Sequence, residues 1–321
     1  MNFARIKIAA VIPAYRVERD IEFVLRGLPH YIKYIIVVDD ASPDSTADTV
    51  TAAAKKDKRV TLIQHRQNQG VGGAMVSGFR KAIELGAQVV VKLDGDGQMD
   101  PACIPSLITP LIEGKADYAK GNRFRDFQAL QKMPYIRRLG NLGLSFLAKA
   151  ATGYWSIFDP TNGYFAIRAE VLAQLPLNKI DHRYYFETSM LSYLYMLNAF
   201  VLDVTIPARY RNETSNLSIR RSLFEFPIKL LVTFIRRIAL KYYIYDFSMM
   251  SLYLVTGIPL LLFGFTFGIT KWVQYAGLNI PAPTGTVMLP TLSVILGIQI
   301  LLSAIEIDMN STPREALSDP L

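Results

Sequence analysis

The sequence predicts an α/β fold with a doubly wound, mostly parallel sheet, followed by an amphipathic interfacial helix and two transmembrane helices. Short β-branched runs alternate with helical stretches in the amino-terminal two thirds of the chain. A basic stretch follows, and the last quarter holds two long apolar segments. The 321 residues include a single cysteine, so an intrachain disulfide is excluded.

Four short runs rich in valine and isoleucine have the character of buried parallel strands. They are IKIAAVIP (6–13), YIIVVDD (34–40), RVTLIQH (59–65) and QVVVKLD (88–94). Helical stretches lie near 17–28, 44–56, 72–86 and 101–113. This alternation is typical of βαβ units in an open sheet, which binds ligands beyond the carboxyl ends of its strands.

The first, second and fourth strands each end in a polar cluster, at the place where such a sheet would bind a ligand. The clusters contain Pro13, Tyr15 and Glu18, then Asp39 and Asp40, then Asp94, Asp96 and Gln98. Each cluster alone is equally typical of a capped turn, because Asp, Ser and Pro are common turn residues. Three clusters at the mouth of one sheet favour a binding site.

The pair Asp94 and Asp96 predicts a divalent cation. On an extended strand, residues i and i+2 point the same way, so the two carboxylates would converge and repel each other. Mg²⁺ or Mn²⁺ relieves that repulsion and prefers oxygen ligands, to which Gln98 could add one. Because Mg²⁺ shares its shell with phosphate oxygens, a nucleotide diphosphate is the expected occupant. A turn with solvated carboxylates is the alternative.

Two apolar segments predict membrane spans. Residues 247–270 contain no charged side chain, and 24 residues of helix extend about 36 Å, enough to cross the hydrocarbon core. Residues 287–307 form the second segment. A buried hairpin of a soluble domain is the alternative, but such helices would normally show a polar face.

The charge distribution predicts the orientation of these spans. Between residues 209 and 241 lie eight Lys or Arg against two Glu, whereas the segment joining the spans offers only Lys271. The positive-inside rule therefore predicts that the sheet domain and both termini are cytoplasmic. We expect the basic stretch to contact lipid phosphates and not nucleic acid, because it precedes the spans.

Within the basic stretch, residues 224–245 predict an amphipathic helix on the membrane surface. Phe226, Leu230, Phe234 and Ile238 recur every four residues and would form its lipid-facing side. The expected organisation is a sheet domain over 1–215, this interfacial region over 216–245, a two-helix hairpin over 246–310 and a cytoplasmic tail over 311–321.

Five motifs together resemble family 2 glycosyltransferases of the GT-A fold. They are VIPAY with a following Glu, IIVVDDASPDST, NQGVGGAMVSGFRKA, VVVKLDGDGQMDP and GNRF, and the resemblance spans roughly residues 6–215. With the membrane hairpin, it points to the dolichyl- and polyprenyl-phosphate sugar transferases and their bacterial relatives. The resemblance implies inverting transfer from a nucleotide-diphosphate sugar to a polyprenyl phosphate, with Mg²⁺ or Mn²⁺ as cofactor.

The resemblance also implies roles for individual residues. The nucleotide and donor would contact Pro13, Tyr15, Glu18, Asp39, Asp40, Asp94 and Arg123. Metal ligands would be Asp96 and Gln98, joined by Asp94. Asp159 near the acceptor and Glu187 near the sugar are, with Asp94, the catalytic candidates. Arg137, Arg138 and Arg209 are candidates to bind the acceptor phosphate, or equally are membrane-surface charge.

The sequence departs from the family pattern in two places. Glu18 lies one position later than usual, and Asn216 stands near the place of a lysine that binds phosphate in some relatives. A saccharide hydroxyl is therefore an alternative acceptor, and it would need Asp159 or Glu187 as a base. A nucleotidyltransferase and a non-catalytic scaffold are the alternatives from other classes. UDP is favoured over GDP as the nucleotide, and a homo-oligomer is open.

Overall fold

The computed structural model describes residues 3–122, 135–158, 162–207 and 219–321, and within these ranges not the side chains of 135–142 and 219–224. The chain forms two compact units. The first comprises Met1–Phe234 and Pro313–Leu321, and the second comprises Ile235–Thr312.

A sheet of seven strands, counted over the described ranges, forms the centre of the first unit. In chain order the strands are β1 (Ile8–Ala14), β2 (Ile32–Asp39), β3 (Val60–Gln64), β4 (Val89–Lys92), β5 (Tyr118–Asn122), β6 (Phe165–Arg168) and β7 (Val201–Thr205). Their order across the sheet is β3-β2-β1-β4-β6-β5-β7. Strand β6 runs antiparallel to both of its neighbours, and the other pairs are parallel. The predicted α/β class with a mostly parallel sheet is confirmed.

Helices connect the strands and cover both faces of the sheet. In the first unit they are α1 (Ile21–Gly27), α2 (Thr46–Lys56), α3 (Gly70–Glu84), α4 (Ile104–Ile112), α5 (Tyr135–Thr152), α6 (Ala169–Gln174) and α7 (Phe186–Met196). Short 3₁₀ turns lie at Phe3–Arg5, Pro101–Cys103 and Leu177–Lys179. Then follow α8 (Ile219–Ala239), a π-helix over Leu240–Tyr245, α9 (Met249–Leu278) and α10 (Thr284–Asn310).

Side chains of each central strand alternate between two hydrophobic cores. On β1, Ala9 and Val11 face the core that contains α3 and α7, while Ile8, Ala10 and Ile12 face the core that contains α1 and α4. Gly78 allows α3 to lie directly on β1, because a Cβ at this position would overlap the Val11 side chain. Close packing of α3 fixes the loop before it at the carboxyl edge of the sheet.

The carboxyl-terminal segment belongs to the first unit and packs at the edge of the sheet opposite to the carboxyl ends of β1, β2 and β4. The amide of Leu317 donates to the carboxylate of buried Asp117 at 3.0 Å, and Phe200 N donates to the same group at 2.8 Å. The amide of Leu321 donates to Ile112 O at 2.9 Å. The predicted tail is therefore part of this compact unit.

Helix α8 is amphipathic, but its apolar residues are divided differently from the prediction. Leu230 is buried and Phe226 half-buried in a cluster with Ala148, Ala151 and Tyr185 of the first unit. Among the described side chains of α8, the large apolar ones that stay exposed are Ile228, Leu231, Val232, Phe234 and Ile235, and of these Phe234 belongs to the predicted stripe. The predicted stripe is wrong at Phe226 and Leu230, because Ala148 and Ala151 of α5 and Tyr185, directly before α7, cover this side of α8.

The second unit contains the two long apolar helices, α9 and α10. Both are long and apolar enough to cross a membrane, and their most apolar windows are only 11% and 22% buried. A helix in the core of a soluble domain would be mostly covered, so the hairpin is suited to lipid. They pack closely through Gly264 and Gly297, where a Cβ would crowd the opposite helix.

A buried ion pair stabilises the second unit internally. The guanidinium of Arg237 binds both carboxylate oxygens of Asp308, at 2.6 and 2.8 Å. The hydroxyl of Tyr242 in the π-helix donates to the same carboxylate at 2.7 Å. All three side chains are almost fully buried, so the network joins the end of α8 and the π-helix to the last turn of α10.

Candidate functional site

The loops that follow β1 and β2 are joined by hydrogen bonds at the carboxyl edge of the sheet. The carboxylate of Glu18 accepts from Ser45 N at 3.0 Å, and Ser42 Oγ accepts from Arg16 N at 3.2 Å. Tyr15 remains 43% exposed beside them, with the Arg16 guanidinium 5.3 Å from its ring. Glu18 thus holds the two loops together, and the half-buried Pro13 lies at the penultimate position of β1, two residues before Tyr15.

Asp39 and Asp40 end β2, and both are buried, but their carboxylates have different surroundings. Asp40 accepts from Gln69 N at 2.9 Å and Gly70 N at 2.8 Å, and its Oδ1 lies 2.7 Å from His65 Nδ1. It therefore fixes the start of α3. Within the described residues no hydrogen-bond donor reaches Oδ1 of Asp39, so this oxygen is available for a ligand.

Asp94 and Asp96 lie in a turn after β4 and not on the strand. Because β4 ends at Lys92, the alternation of an extended strand does not govern the two side chains. The carboxylate of Asp94 pairs with Lys92 Nζ at 2.8 Å, whereas Oδ1 of Asp96 accepts from Gln98 N at 3.0 Å. The Gln98 residue is exposed, so its side chain and that of the half-buried Asp96 can both reach a ligand.

Glu187 approaches the same place from the first turn of α7. Its Oε1 lies 3.7 Å from Lys92 Nζ, and Lys92 itself is only 2% exposed. Burial raises the pKa of Glu187, although the cations Lys92 and Lys120 oppose this change. Burial alone would lower the pKa of Lys92, but the carboxylates of Asp94 and Glu187 raise it above its ordinary value. A buried cation therefore joins carboxylates from two elements.

Lys92 is a residue of this site that the sequence analysis did not identify. One signal for it was present, since a lysine in the run VVVKLD places a charge in a buried strand, where lysine is almost never found without a partner. Five residues that the sequence analysis predicted for the site cannot be compared with this geometry. Arg123, Asp159 and Arg209 lie outside the described residues, and so do the side chains of Arg137 and Arg138.

The oxygen donors at this edge, Asp96 and Gln98, suit a metal ion that takes its remaining ligands from another molecule. Across the described part of the chain, no three His, Cys, Asp or Glu side chains lie close enough to hold one ion. The carboxylate of Asp96 and the amide of Gln98 are hard oxygen donors, and Mg²⁺ or Mn²⁺ usually completes such a shell with water and phosphate oxygens. The site is therefore suited to an ion that binds together with a phosphate.

Sequence comparison places the chain among known proteins. A family model described as Glycosyl transferase family 2 matches residues 9–175. The UDP-N-acetylglucosamine–dolichyl-phosphate N-acetylglucosaminyltransferase of Methanococcus voltae is 36% identical over 178 residues, which are 51% of this chain and 70% of that protein. The undecaprenyl-phosphate mannosyltransferase of Micrococcus luteus is 29% identical over 203 residues, covering 62% of this chain and 82% of its own.

Comparison of structures gives the same fold at lower sequence identity. A glucosyl-3-phosphoglycerate synthase from Mycobacterium tuberculosis, solved in complex with Mn²⁺, UDP and glucosyl-3-phosphoglycerate, superposes with a TM-score of 0.53. The match covers 73% of this chain and 80% of that one at 20% identity. At this identity the likeness concerns the fold alone.

Proposed function

Because the chain belongs to glycosyl transferase family 2 and has the GT-A fold, we propose that this glycosyltransferase moves a sugar from a nucleotide diphosphate to a polyprenyl phosphate. The observation that most supports a polyprenyl phosphate as the acceptor is the pair of long apolar helices in the same chain as the sheet domain. The relatives from Methanococcus voltae and Micrococcus luteus, named for dolichyl and undecaprenyl phosphate, support it.

The donor nucleotide would bind at the carboxyl edge of β1 and β2. Tyr15 and Pro13 would cover the base, and Oδ1 of Asp39 would accept a hydrogen bond from the base or ribose. Glu18 would shape this pocket through its bond to Ser45 N, and Asp40 would act by fixing the start of α3. Arg123 would contact the diphosphate. UDP remains favoured, with GDP as the alternative.

The divalent ion would be Mg²⁺ or Mn²⁺, held by Asp96 and Gln98 together with the diphosphate. When bound, it would neutralise the charge that develops on the departing nucleotide diphosphate. Asp94 would face the ribose and sugar, and Glu187 would lie beside the sugar on α7. These side chains would hold the anomeric carbon in position, which is the main contribution that a displacement reaction needs from them.

A polyprenyl phosphate would attack the anomeric carbon in line with the departing diphosphate and invert its configuration. Its phosphate oxygen is already anionic near neutral pH, so the reaction requires no general base. Arg137, Arg138 and Arg209 would hold this phosphate beside the bilayer. We place the reaction on the cytoplasmic face, with both termini on that side, on the positive-inside rule.

A saccharide hydroxyl is the second candidate acceptor, and Glu187 is the observation that favours it. Burial raises the pKa of this carboxyl group, and a base with a raised pKa removes a hydroxyl proton more effectively near neutral pH. Asp159 is the competing base. The acceptor in this case would be a lipid-linked glycan at the same membrane surface.

The test is transfer of labelled sugar by the full chain in membranes or detergent. UDP- and GDP-sugars would be supplied with polyprenyl phosphate, in Mg²⁺, in Mn²⁺ or with a chelator. Asp96→Asn removes a proposed metal ligand, and Asp48→Asn, the same change at an exposed position of α2, is the matched control. We expect a metal-dependent charged glycolipid from the wild type and from the control only.

Two results would change this proposal in different ways. If the donor were hydrolysed in a metal-dependent reaction but no lipid product formed, the acceptor would be wrong and a saccharide hydroxyl would be tested next. If Asp96→Asn formed product as fast as Asp48→Asn, the proposed metal site itself would be refuted.

A further inference from the structure

The α7 entry loop, residues 181–185, leads directly into the helix that carries Glu187. The amide of Asp181 donates to Ser189 Oγ in α7 at 3.0 Å, and Tyr185 is the residue before the first turn of this helix. Glu187 follows two residues later, within that turn. The placement of Glu187 in the site therefore depends on what holds the entry loop.

On one side, the entry loop lies against the glycines that begin α3. The carbonyl of His182 accepts from Gly72 N at 2.8 Å and from Gly73 N at 3.1 Å. A Cβ at Gly72 would overlap the carbonyl oxygen of Asp181, and one at Gly70 would overlap that of His182. The glycines of the NQGVGG sequence thus let two backbones meet, and the entry loop satisfies two of the amides that a helix leaves unpaired at its start.

On the other side, the entry loop is bound by helix α8. The carboxylate of Asp181 lies 2.5 Å from Lys229 Nζ, at the beginning of the loop. At its end, the hydroxyl of Tyr185 donates to Thr233 Oγ1 at 2.8 Å, and the Tyr185 ring packs edge to face on that of Phe226, with centroids 5.5 Å apart. Helix α8 therefore holds both ends of the loop that precedes α7.

The ion pair between Lys229 and Asp181 is suited to fixing a position more than to stabilising the fold. The side chain of Lys229 is 37% exposed and that of Asp181 is 20% exposed, and ion pairs that water can reach contribute little to stability. The same helix carries exposed apolar side chains, among them Leu231 and Val232, which suit a lipid surface. Lys229 thus connects a helix suited to the membrane with the loop that leads to Glu187.

We propose that Lys229 is a positioning residue: through its ion pair with Asp181, α8 holds the entry loop, and with it Glu187, in the place that sugar transfer requires. This inference rests on the proposed function, because it takes Glu187 to lie beside the transferred sugar. Loss of the ion pair leaves the contacts of the loop with α3 in place, so nucleotide binding should persist. Transfer should slow, because the reaction is sensitive to small displacements of the groups around it.

The experiment compares sugar transfer, nucleotide affinity in Mn²⁺ and thermal unfolding for the full chain in detergent. Lys229→Met removes the ammonium group at similar length, and Asp181→Asn removes the charge but keeps an oxygen for Arg183 N. Each should lower kcat by roughly three- to tenfold, with UDP or GDP affinity unchanged and Tm lower by less than about 4 °C. Lys229→Arg keeps the cation and should retain most of the rate. Lys56→Met, at an exposed position of α2, is the matched control.

The double variant Lys229→Met/Asp181→Asn tests whether the two side chains act as one pair. If they do, it is no slower than either single variant, because the second change removes an interaction that is already lost. Multiplied losses of kcat, an unchanged kcat in Lys229→Met, or a fall in nucleotide affinity as large as the fall in kcat would each overturn the inference. If Lys229→Met does not fold, Asp181→Asn and its kcat decide.

Hydrogen exchange separates this inference from the proposed function. In Lys229→Met, the amides of residues 181–190 should exchange about two- to fivefold faster than in the wild type, since the loop opens more often. Those of α2 should be unchanged. If the wild type transfers no sugar to polyprenyl phosphate, the proposed acceptor is wrong, and faster exchange still supports the hold of α8 on the loop. Equal exchange in the two proteins overturns the role of Lys229, whatever the acceptor is.

Discussion

Asp39 and Asp40 are adjacent and equally buried, yet the same substitution should damage different properties of the protein. The two carboxylate oxygens of Asp40 accept hydrogen bonds from Gln69 N and Gly70 N and contact His65. In Asp40→Asn, an NH₂ group replaces one of these oxygens and faces a backbone amide that is also a donor. In Asp39→Asn, no hydrogen bond of the described structure is lost at Oδ1. Asp40 should therefore control stability, and Asp39 should control nucleotide binding.

The expected magnitudes follow from the number and kind of bonds. A hydrogen bond to a charged group contributes about 1.5–3 kcal/mol, so Asp40→Asn should lower the free energy of unfolding by about 2–3 kcal/mol. For a domain of this size that corresponds to a Tm lower by roughly 4–12 °C. Loss of one such bond to the nucleotide in Asp39→Asn should weaken binding by roughly 10- to 100-fold.

The assay compares both variants with the wild type in the same detergent. Thermal unfolding without nucleotide reports stability, and titration with UDP and GDP in the presence of Mn²⁺ reports binding. Asp39→Asn should unfold at the wild-type Tm or slightly above it, because it removes a buried charge. A matching fall of Tm in Asp39→Asn, or wild-type nucleotide affinity in that variant, would refute the reasoning.

Two further predictions concern other parts of the chain. Asp308→Asn leaves Arg237 buried without its counter-charge, so it should destabilise the hairpin unit by about 3–5 kcal/mol; recovery of Tm in Asp308→Asn/Arg237→Leu would confirm the cause, and an unchanged Tm in Asp308→Asn would contradict it. Burial raises the pKa of Asp117 despite hydrogen bonds from Leu317 and Phe200. The native state therefore binds this proton more strongly than the unfolded state, and stability should fall as pH rises above about 4, the ordinary value of an aspartate. Asp117→Asn should flatten the dependence of Tm on pH between 4 and 6, and an equally steep profile would exclude Asp117 as its source.

The first half of the sheet could be predicted because its sequence is strongly patterned. Runs such as IIVV in β2 are continuous and apolar, since a central parallel strand is buried on both faces. The second half could not be predicted in the same way. Strand β5 reads YAKGN and β6 has only four residues; their burial depends on neighbouring strands, which a local pattern does not contain.

The site was predicted as a set of positions but not as a set of roles. The polar residues after β1, β2 and β4 do lie at one edge, as the topology requires. The difference between Asp39 and Asp40 depends on His65 and on the start of α3, and the ion pair of Asp94 depends on the buried Lys92. Such pairings involve a residue that is distant in sequence, as for His65 and Asp40, or a charged residue within an apolar strand, as for Lys92.

The docked carboxyl-terminal segment restricts the membrane topology independently of charge. Residues 313–321 belong to the same compact unit as the sheet, with Leu317 bound to Asp117. Because a compact unit stays on one side of a bilayer, we predict that the chain between residues 235 and 312 leaves and returns on the same side. We therefore expect an even number of crossings: α9 and α10 both cross, or neither does. A single crossing would separate Leu317 from Asp117 by the full thickness of the membrane.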